Sequence, residues 1–235
     1  MKKTTILFDL DGTLLPMDQE AFVRRYLDSM AAFLEPYGYE PGALQAAVID
    51  GVVAMVKNRG KCLNERLFWD AFRERMGQPS CGEQELFETY YRGDFQTCRE
   101  LCGFNENAAL LMAQLKSQGL QAVLATNPLF PAIATHSRVR WAGLSPEDFI
   151  YISTFENSSF CKPSPAYYRE ILDKLGLSPE ECVMVGNDTR EDVAAEQLGI
   201  PVFLLTDCLI DRDGLDLSSY PHGGFEELKA YIGSL

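Results

Sequence analysis

The sequence predicts an α/β fold: a parallel sheet with helices on both faces, in three layers, and an all-helical insertion after its first strand. Three observations carry that reading. Short, almost wholly apolar runs recur with helical stretches between them, among them Ile6-Leu7-Phe8, Val123-Leu124-Ala125, Val183-Met184-Val185 and Val202-Phe203-Leu204-Leu205. Such runs are the mark of strands buried on both sides. The first run stands apart from the others. Between it and the second, from Asp18 to about Glu100, apolar residues recur at helical rather than strand spacing.

Taken in order, Thr4-Thr5-Ile6-Leu7-Phe8 is β-rich and stops at Asp-Leu-Asp-Gly, which reads as a buried strand ending in a turn. In the block that follows, Phe22, Tyr26, Met30, Phe33 and Leu34 define one helical segment, and Leu44, Val48, Val52 and Met55 a second. Leu67, Phe68, Ala71 and Phe72 define a third, and Leu86, Phe87, Tyr90 and Tyr91 a fourth. Pro36, Gly38, Pro41, Gly60, Gly77, Pro79 and Gly82 separate them. Beyond Gly103 the pattern predicts a helix over Asn107 to Ser117 closed by Gly119, then a strand over Leu120 to Ala125. A helix over Pro131 to Trp141 and a short strand over Phe149 to Ile152 come next. Pro165 to Leu175 reads as a helix ending at Gly176, Cys182 to Val185 as a strand, Thr189 to Leu198 as a helix, and Val202 to Leu205 as a strand. The chain thus divides into a core, residues 1–15 and 105–235, and a helical insertion, residues 16–104.

With 235 residues, 46% of them apolar and 23% charged, the chain can fill a real core. Its 21 Lys and Arg against 34 Asp and Glu give a net charge of −13, the wrong sign for a nucleic-acid backbone or an anionic membrane as main partner. No apolar run approaches the ~20 residues that span a bilayer. Asp9 and Asp11 break the N-terminal apolar stretch well before a secretory signal would be complete. Seven cysteines, odd in number and without a C-x-x-C pair, predict reduced thiols, a cytoplasmic location and no zinc site.

In open α/β sheets ligands bind beyond the carboxyl ends of the strands. Asp9, Asp11, Gly12 and Thr13 follow the first strand, and Thr126 and Asn127 the second. Lys162 lies near the short third strand, and Gly186, Asn187, Asp188 and Asp192 follow the fourth. Each has a plainer explanation when taken singly. Asp11-Gly12 makes a tight turn, and Asp9 to Glu20 imitates a calcium loop but carries Leu14 where that loop needs glycine. Thr126-Asn127-Pro128 makes a turn before a helix, Lys162 a solvated loop lysine, and Asp188 a helix cap completed by Glu191. Together, at neighbouring strand ends, they predict one polar pocket.

The order and wording of these pieces resemble the haloacid dehalogenase (HAD) superfamily of aspartate-nucleophile phosphohydrolases. Phe8-Asp9-Leu10-Asp11-Gly12-Thr13-Leu14 looks like its first motif in the form typical of phosphatases, and Thr126 after an apolar strand like its second. Lys162-Pro163 is similar to the third, and Gly186-Asn187-Asp188-Thr189-Arg190-Glu191-Asp192 to the acidic fourth. The resemblance spans residue 4 to about 205. It implies a three-layer Rossmann-like core with an inserted all-α cap domain. It also implies Asp9 as nucleophile, Asp11 as general acid and then base, Thr126 and Asn127 as phosphate contacts, and Lys162 as the neutralising cation.

The implied cofactor is Mg²⁺, held by the Asp9 carboxylate, the Asp11 carbonyl and Asp188. Many relatives read Gly-Asp in the fourth motif where this chain reads Gly186-Asn187-Asp188, so either Asn187 or Asp188 meets the metal. Charge favours Asp188, with Asp192 behind it orienting the ligand or Lys162, and Asn187 in reserve. Asp11 separates reaction classes, because a departing halide needs no proton. The implied activity is hydrolysis of a small phosphorylated metabolite through an aspartyl-phosphate. A phosphosugar mutase and a weakly active metabolite-binding or regulatory protein stand as alternatives. Arg24, Arg25, Lys57, Arg59, Lys61 and Arg66 of the insertion read as solvated helix charges or contacts for an anionic substrate. Phe68, Trp69 and Phe72 read as packing, an aromatic substrate platform being the alternative, and His136 and His222, without a partner pattern, as surface or packing residues. Cys161 reads as a passive neighbour of Lys162, an oxidation-sensitive thiol being the alternative.

Overall fold

Successive side chains of a strand point to opposite faces, so a strand with three successive apolar residues needs cover on both. In the computed structural model, which describes residues 2–77 and 82–235, β1 (Thr5–Phe8) has that cover. Pro79 and Cys81 lie outside the described residues. Ile6 and Phe8 face one layer, built by α5 (Asn107–Gln118) through Leu111 and Leu115 and by α8 (Phe225–Gly233) through Leu228 and Ile232. Leu7 faces the other, built by α7 (Pro165–Leu175) through Tyr168, Ile171 and Leu172.

Among the described residues six strands form one parallel sheet, in the order β3-β2-β1-β4-β5-β6. They are β1, β2 (Gln121–Leu124), β3 (Tyr151–Ile152), β4 (Cys182–Gly186), β5 (Val202–Leu205) and β6 (His222–Gly223). Phe8 pairs with Leu124 on one side and Val185 on the other. The chain builds outward from β1 through β2 and β3, then restarts on the opposite side with β4. That reversal opens a crevice beyond the carboxyl ends of β1 and β4, the place where such sheets bind ligands.

Between β1 and β2 stand α1 (Gln19–Leu34), α2 (Pro41–Val56), α3 (Asn64–Met76) and α4 (Glu83–Arg92), followed by a 3-10 segment over Asp94–Leu101. The helical spacing of the apolar residues marked all four helices. Asp18 caps α1 by accepting from the Ala21 amide at 3.0 Å. Phe68, Trp69, Phe72 and Phe87 pack ring against ring at centroid distances of 5.2–6.0 Å, a packing role as predicted. The two ends of the block meet: Met17 bridges Cys102 antiparallel, and the Gly103 amide donates to the Pro16 carbonyl at 2.7 Å.

Three stretches differ from the sequence reading. β3 is reduced to two residues, leaving Phe149 and Ile150 outside it. Thr189 to Leu198 was expected as a helix but forms a tight turn and then a 3-10 segment over Val193–Leu198. There the Asp188 carboxylate accepts from the Arg190 and Glu191 amides, and Asp192 accepts from the Asp188 amide. Side chains thus take backbone donors from a regular ladder. β6 and α8 carried no expectation, although Phe225, Leu228 and Ile232 have helical spacing. Among the described residues no helix is long and apolar enough to cross a membrane.

Candidate active site

Asp9 follows β1 directly, and its amide extends the ladder by donating to the Val185 carbonyl at 2.9 Å. The chain then turns, with the Leu15 amide on the Leu10 carbonyl and the Gly12 amide on the Leu15 carbonyl, both at 2.8 Å. Gly12 sits at φ +88°, with the Asn187 side chain where a Cβ would stand, so both conformation and space demand glycine. At the end of β4, a Cβ on Gly186 would overlap the Asp192 carboxylate. The absent side chain lets Asp192 reach back to the Asp188 amide at 2.9 Å.

These strand ends open into a cavity of about 150 Å³. Asp9, Asp11, Asp188, Glu191 and Asp192 line it, as do Thr126, Asn127 and Asn187. Met17, Gln19, Phe22 and Val23 form a wall contributed by the helical block and its entry. A larger hollow of about 340 Å³, lined by Phe68, Trp69, Phe87 and Tyr91 among others, holds none of the predicted site residues.

Lys162 does not line the cavity; it supports it from below. Its fully buried ammonium donates to Asp9 Oδ1 at 2.8 Å and to Asp192 Oδ1 at 2.6 Å. A solvated loop lysine is therefore excluded. Burial works to lower the Lys162 pKa, but Asp192 and Asp9 outweigh it and hold it well above the usual lysine value. Burial lifts the Asp9 carboxyl above its ordinary range and pushes Asp192 up to about 6, with Lys162 pulling both the other way. Burial likewise pushes Glu191 up to about 7. Glu191 accepts from Asn127 Nδ2 at 3.0 Å, which fixes the Asn127 amide at the cavity edge.

Asn187 and Asp188 have separate tasks. The Asn187 amide is spent inside the protein, accepting from Thr13 Oγ1 at 3.0 Å and donating to the Cys208 carbonyl at 2.6 Å. Asp188 lines the cavity, its Oδ2 accepting from Arg212 Nη1 at 2.8 Å. Thr126 is buried beside the cavity, and its carbonyl is pinned by Ser153 Oγ at 2.6 Å and the Tyr167 hydroxyl at 2.8 Å.

Three neighbours escaped the sequence reading. Gln19 Nε2 donates to the Asp11 carbonyl at 2.9 Å, Arg212 pairs with Asp188, and Arg138 of α6 (Ala132–Trp141) pairs with the Asp11 carboxylate. Only Arg138 left a sequence signal: Ala134, Arg138 and Trp141 share the buried face of their helix. Arg24, Arg25, Lys57, Arg59, Lys61 and Arg66 are all exposed and none lines the cavity. Burial pushes the Cys161 thiol up to about 12, which disfavours the reactive thiolate and fits a passive neighbour.

Among the described residues no three His, Cys, Asp or Glu side chains converge as a ready-made metal cluster. What the cavity offers is the carboxylates of Asp9 and Asp188 in a lining that also includes Asp11, Glu191 and Asp192. That hard-oxygen set suits Mg²⁺, which takes one or two carboxylates and completes its shell with water and substrate oxygens.

A family model for haloacid dehalogenase-like hydrolases matches residues 3–199. The chain belongs to this family. The HAD-like chain is 32% identical over 201 residues to a phosphoglycolate phosphatase of Yersinia pestis, covering 86% of this chain and 80% of that protein. It is 30% identical over 134 residues to a phosphoserine phosphatase of Thermus thermophilus, covering 57% and 50%. Its fold superimposes with a TM-score of 0.58 on a HAD phosphatase from Thermococcus onnurineus, at 19% identity over 99% of this chain and 98% of that one. An L-2-haloacid dehalogenase from Xanthobacter autotrophicus shares the fold at a TM-score of 0.57 and 15% identity, with both chains fully covered.

Proposed function

We propose that this hydrolase is a Mg²⁺-dependent phosphatase of small phosphorylated metabolites, carrying the phosphoryl group transiently on Asp9. The observation that supports this most is the placement of Asp9: Oδ1 is held by Lys162 at 2.8 Å, while Oδ2 is met by Thr13 Oγ1 at the long distance of 3.4 Å. One oxygen is anchored and the other is left to attack. Asp9 attacks phosphorus, the ester P–O bond breaks, and Asp11 passes a proton to the departing oxygen, releasing the alcohol. Water then attacks the same phosphorus and gives its proton to Asp11, and the P–O bond to Asp9 breaks, releasing inorganic phosphate. Thr126 and Asn127 hold phosphate oxygens, and Lys162 offsets charge on Asp9. Asp9, the Asp11 carbonyl and Asp188 would hold Mg²⁺, which would supply the positive charge that lets an anionic nucleophile approach an anionic ester.

Residues 16–104 act as a cap on a core formed by residues 1–15 and 105–235; the wall from Met17, Gln19, Phe22 and Val23 supports this. A cavity of about 150 Å³ is about the size that holds benzene, which fits a small phosphate monoester rather than a phosphorylated macromolecule. The free cysteines among the described residues support a reducing, cytoplasmic setting.

Phosphate release from a panel of small phosphate monoesters, with Mg²⁺ and with chelator, tests the reading. Activity is expected to vanish in chelator and return with Mg²⁺; equal turnover in both overturns the metal assignment. An isomeric phosphate ester formed without free phosphate would indicate a mutase instead.

Arg212 occupies the Asp188 oxygen that a cation needs. Arg212→Gln is expected to tighten Mg²⁺ binding roughly two- to fivefold by calorimetry, the scale of a partly exposed ion pair. Weaker binding in that variant would mean that Arg212 orients Asp188 rather than competing for it.

A further inference from the structure

Arg138 is 1% exposed, and it lies on a helix of the core rather than in any of the four sequence motifs. Its guanidinium sits 4.3 Å from the centre of the Phe130 ring, and Nη2 donates to Thr135 Oγ1 at 3.3 Å. Nη1 donates to Asp11 Oδ2. Asp11 is the one carboxylate within ion-pair reach of Arg138 among the described residues. A buried cation stripped of its only counter-charge is costly, so Asp11 is not free to swing away from this partner. Its other oxygen, Oδ1, is itself buried and has no hydrogen-bond partner among the described residues, so the salt bridge to Arg138 is what sets the carboxylate's orientation.

We propose that Arg138 is the positioning residue for Asp11: by holding Oδ2 it fixes where the carboxyl group stands at the cavity edge for proton exchange with the leaving oxygen and, later, with water. This rests on the reading of Asp11 as the proton carrier. The chemistry is unchanged by it: the proton leaves the Asp11 carboxyl as the ester P–O bond breaks and returns there from the hydrolytic water. What Arg138 fixes is where that carboxyl group stands. A guanidinium fork suits that task, since it grips one carboxylate oxygen in a fixed plane while stacking on an aromatic face.

A residue that only neutralised charge in the core would affect all substrates alike. A residue that aims a general acid matters in proportion to how much the leaving group needs a proton. 4-Nitrophenolate departs without one; a short alkoxide, as from ethyl phosphate, does not. The test is therefore the ratio of kcat/KM for 4-nitrophenyl phosphate to that for ethyl phosphate, in wild type, Arg138→Met and Arg138→Lys. A ratio within one preparation does not depend on how much of it has folded. In Arg138→Met the ratio is expected to rise on the order of tenfold or more, because alkyl ester cleavage is lost selectively. Arg138→Lys, which keeps the charge but not the fork, is expected to fall between. In an Asp11→Ala background the ratio is already raised, and adding Arg138→Met is expected to leave it there.

A ratio unchanged or lowered in both single variants overturns the positioning role, as does a further rise in the Asp11→Ala background. The functional reading fails differently: then wild type itself releases no phosphate from either ester, or Asp11→Ala leaves the ratio at its wild-type value.

Discussion

Asp9→Asn is expected to lower phosphate release by on the order of 10³-fold or more, with the fold intact. An amide is nearly the same size as a carboxylate, but it is neutral and does not form the acyl-phosphate on which both halves of the reaction depend. Lys162 keeps Asp192 as counter-charge in that variant, at 2.6 Å. Burial already disfavours the ionised form of Asp9, since its pKa is lifted above the ordinary range. The variant is therefore expected to stay folded and melt near the wild-type temperature, because relief of a buried charge offsets the loss of one of the two Lys162 partners. Two measurements check this: a thermal melt beside the phosphate assay, and an acid quench with phosphorus-labelled substrate. The quench leaves label on wild type and none on the variant. Turnover within tenfold of wild type would remove Asp9 from the chemistry.

The parts that could be read in the sequence are those whose cause is local. β1, β4 and β5 are unbroken apolar runs because parallel strands are buried on both faces. α5 and α7 end where Gly119 and Gly176 take left-handed φ of 70° and 65°, a conformation that glycine adopts without steric cost. Asp9, Thr126 and Asp188 were visible because each follows a strand, and parallel strands bring their carboxyl ends together. The turn over Thr189 to Asp192 misled because its acidic side chains do the work that a helical ladder would do. Arg212 left no sequence signal, and Arg138 signalled only a place on a buried helix face, not its partner. Arg138 meets Asp11 across 127 positions, and nothing near either residue specifies the other. The sequence motifs name the residues at the strand ends; only packing shows what holds them.

Lys162→Met is the substitution expected to cost most in stability, about 3–5 kcal/mol, because it strands two buried carboxylates with no cation between them. Methionine fills much of the same volume, so the loss is electrostatic rather than a cavity effect. The cost is expected to shrink when a second change removes one of the stranded charges. Asp192→Asn in the Lys162→Met background is expected to recover part of the loss, whereas Asp192→Asn in wild type destabilises by parting Lys162 from one of its two partners. Opposite signs for one substitution in two backgrounds define coupling between neighbours, which denaturant titrations of the four proteins in metal-free buffer measure directly. Additive effects would mean that Lys162 and Asp192 act independently, and that the 2.6 Å contact between them carries no weight. The activity of the double variant separates the two duties of the lysine. Asp9 recovers no cation when Asp192 is neutralised, so stability is expected to return in part while phosphate release stays at the level of Lys162→Met.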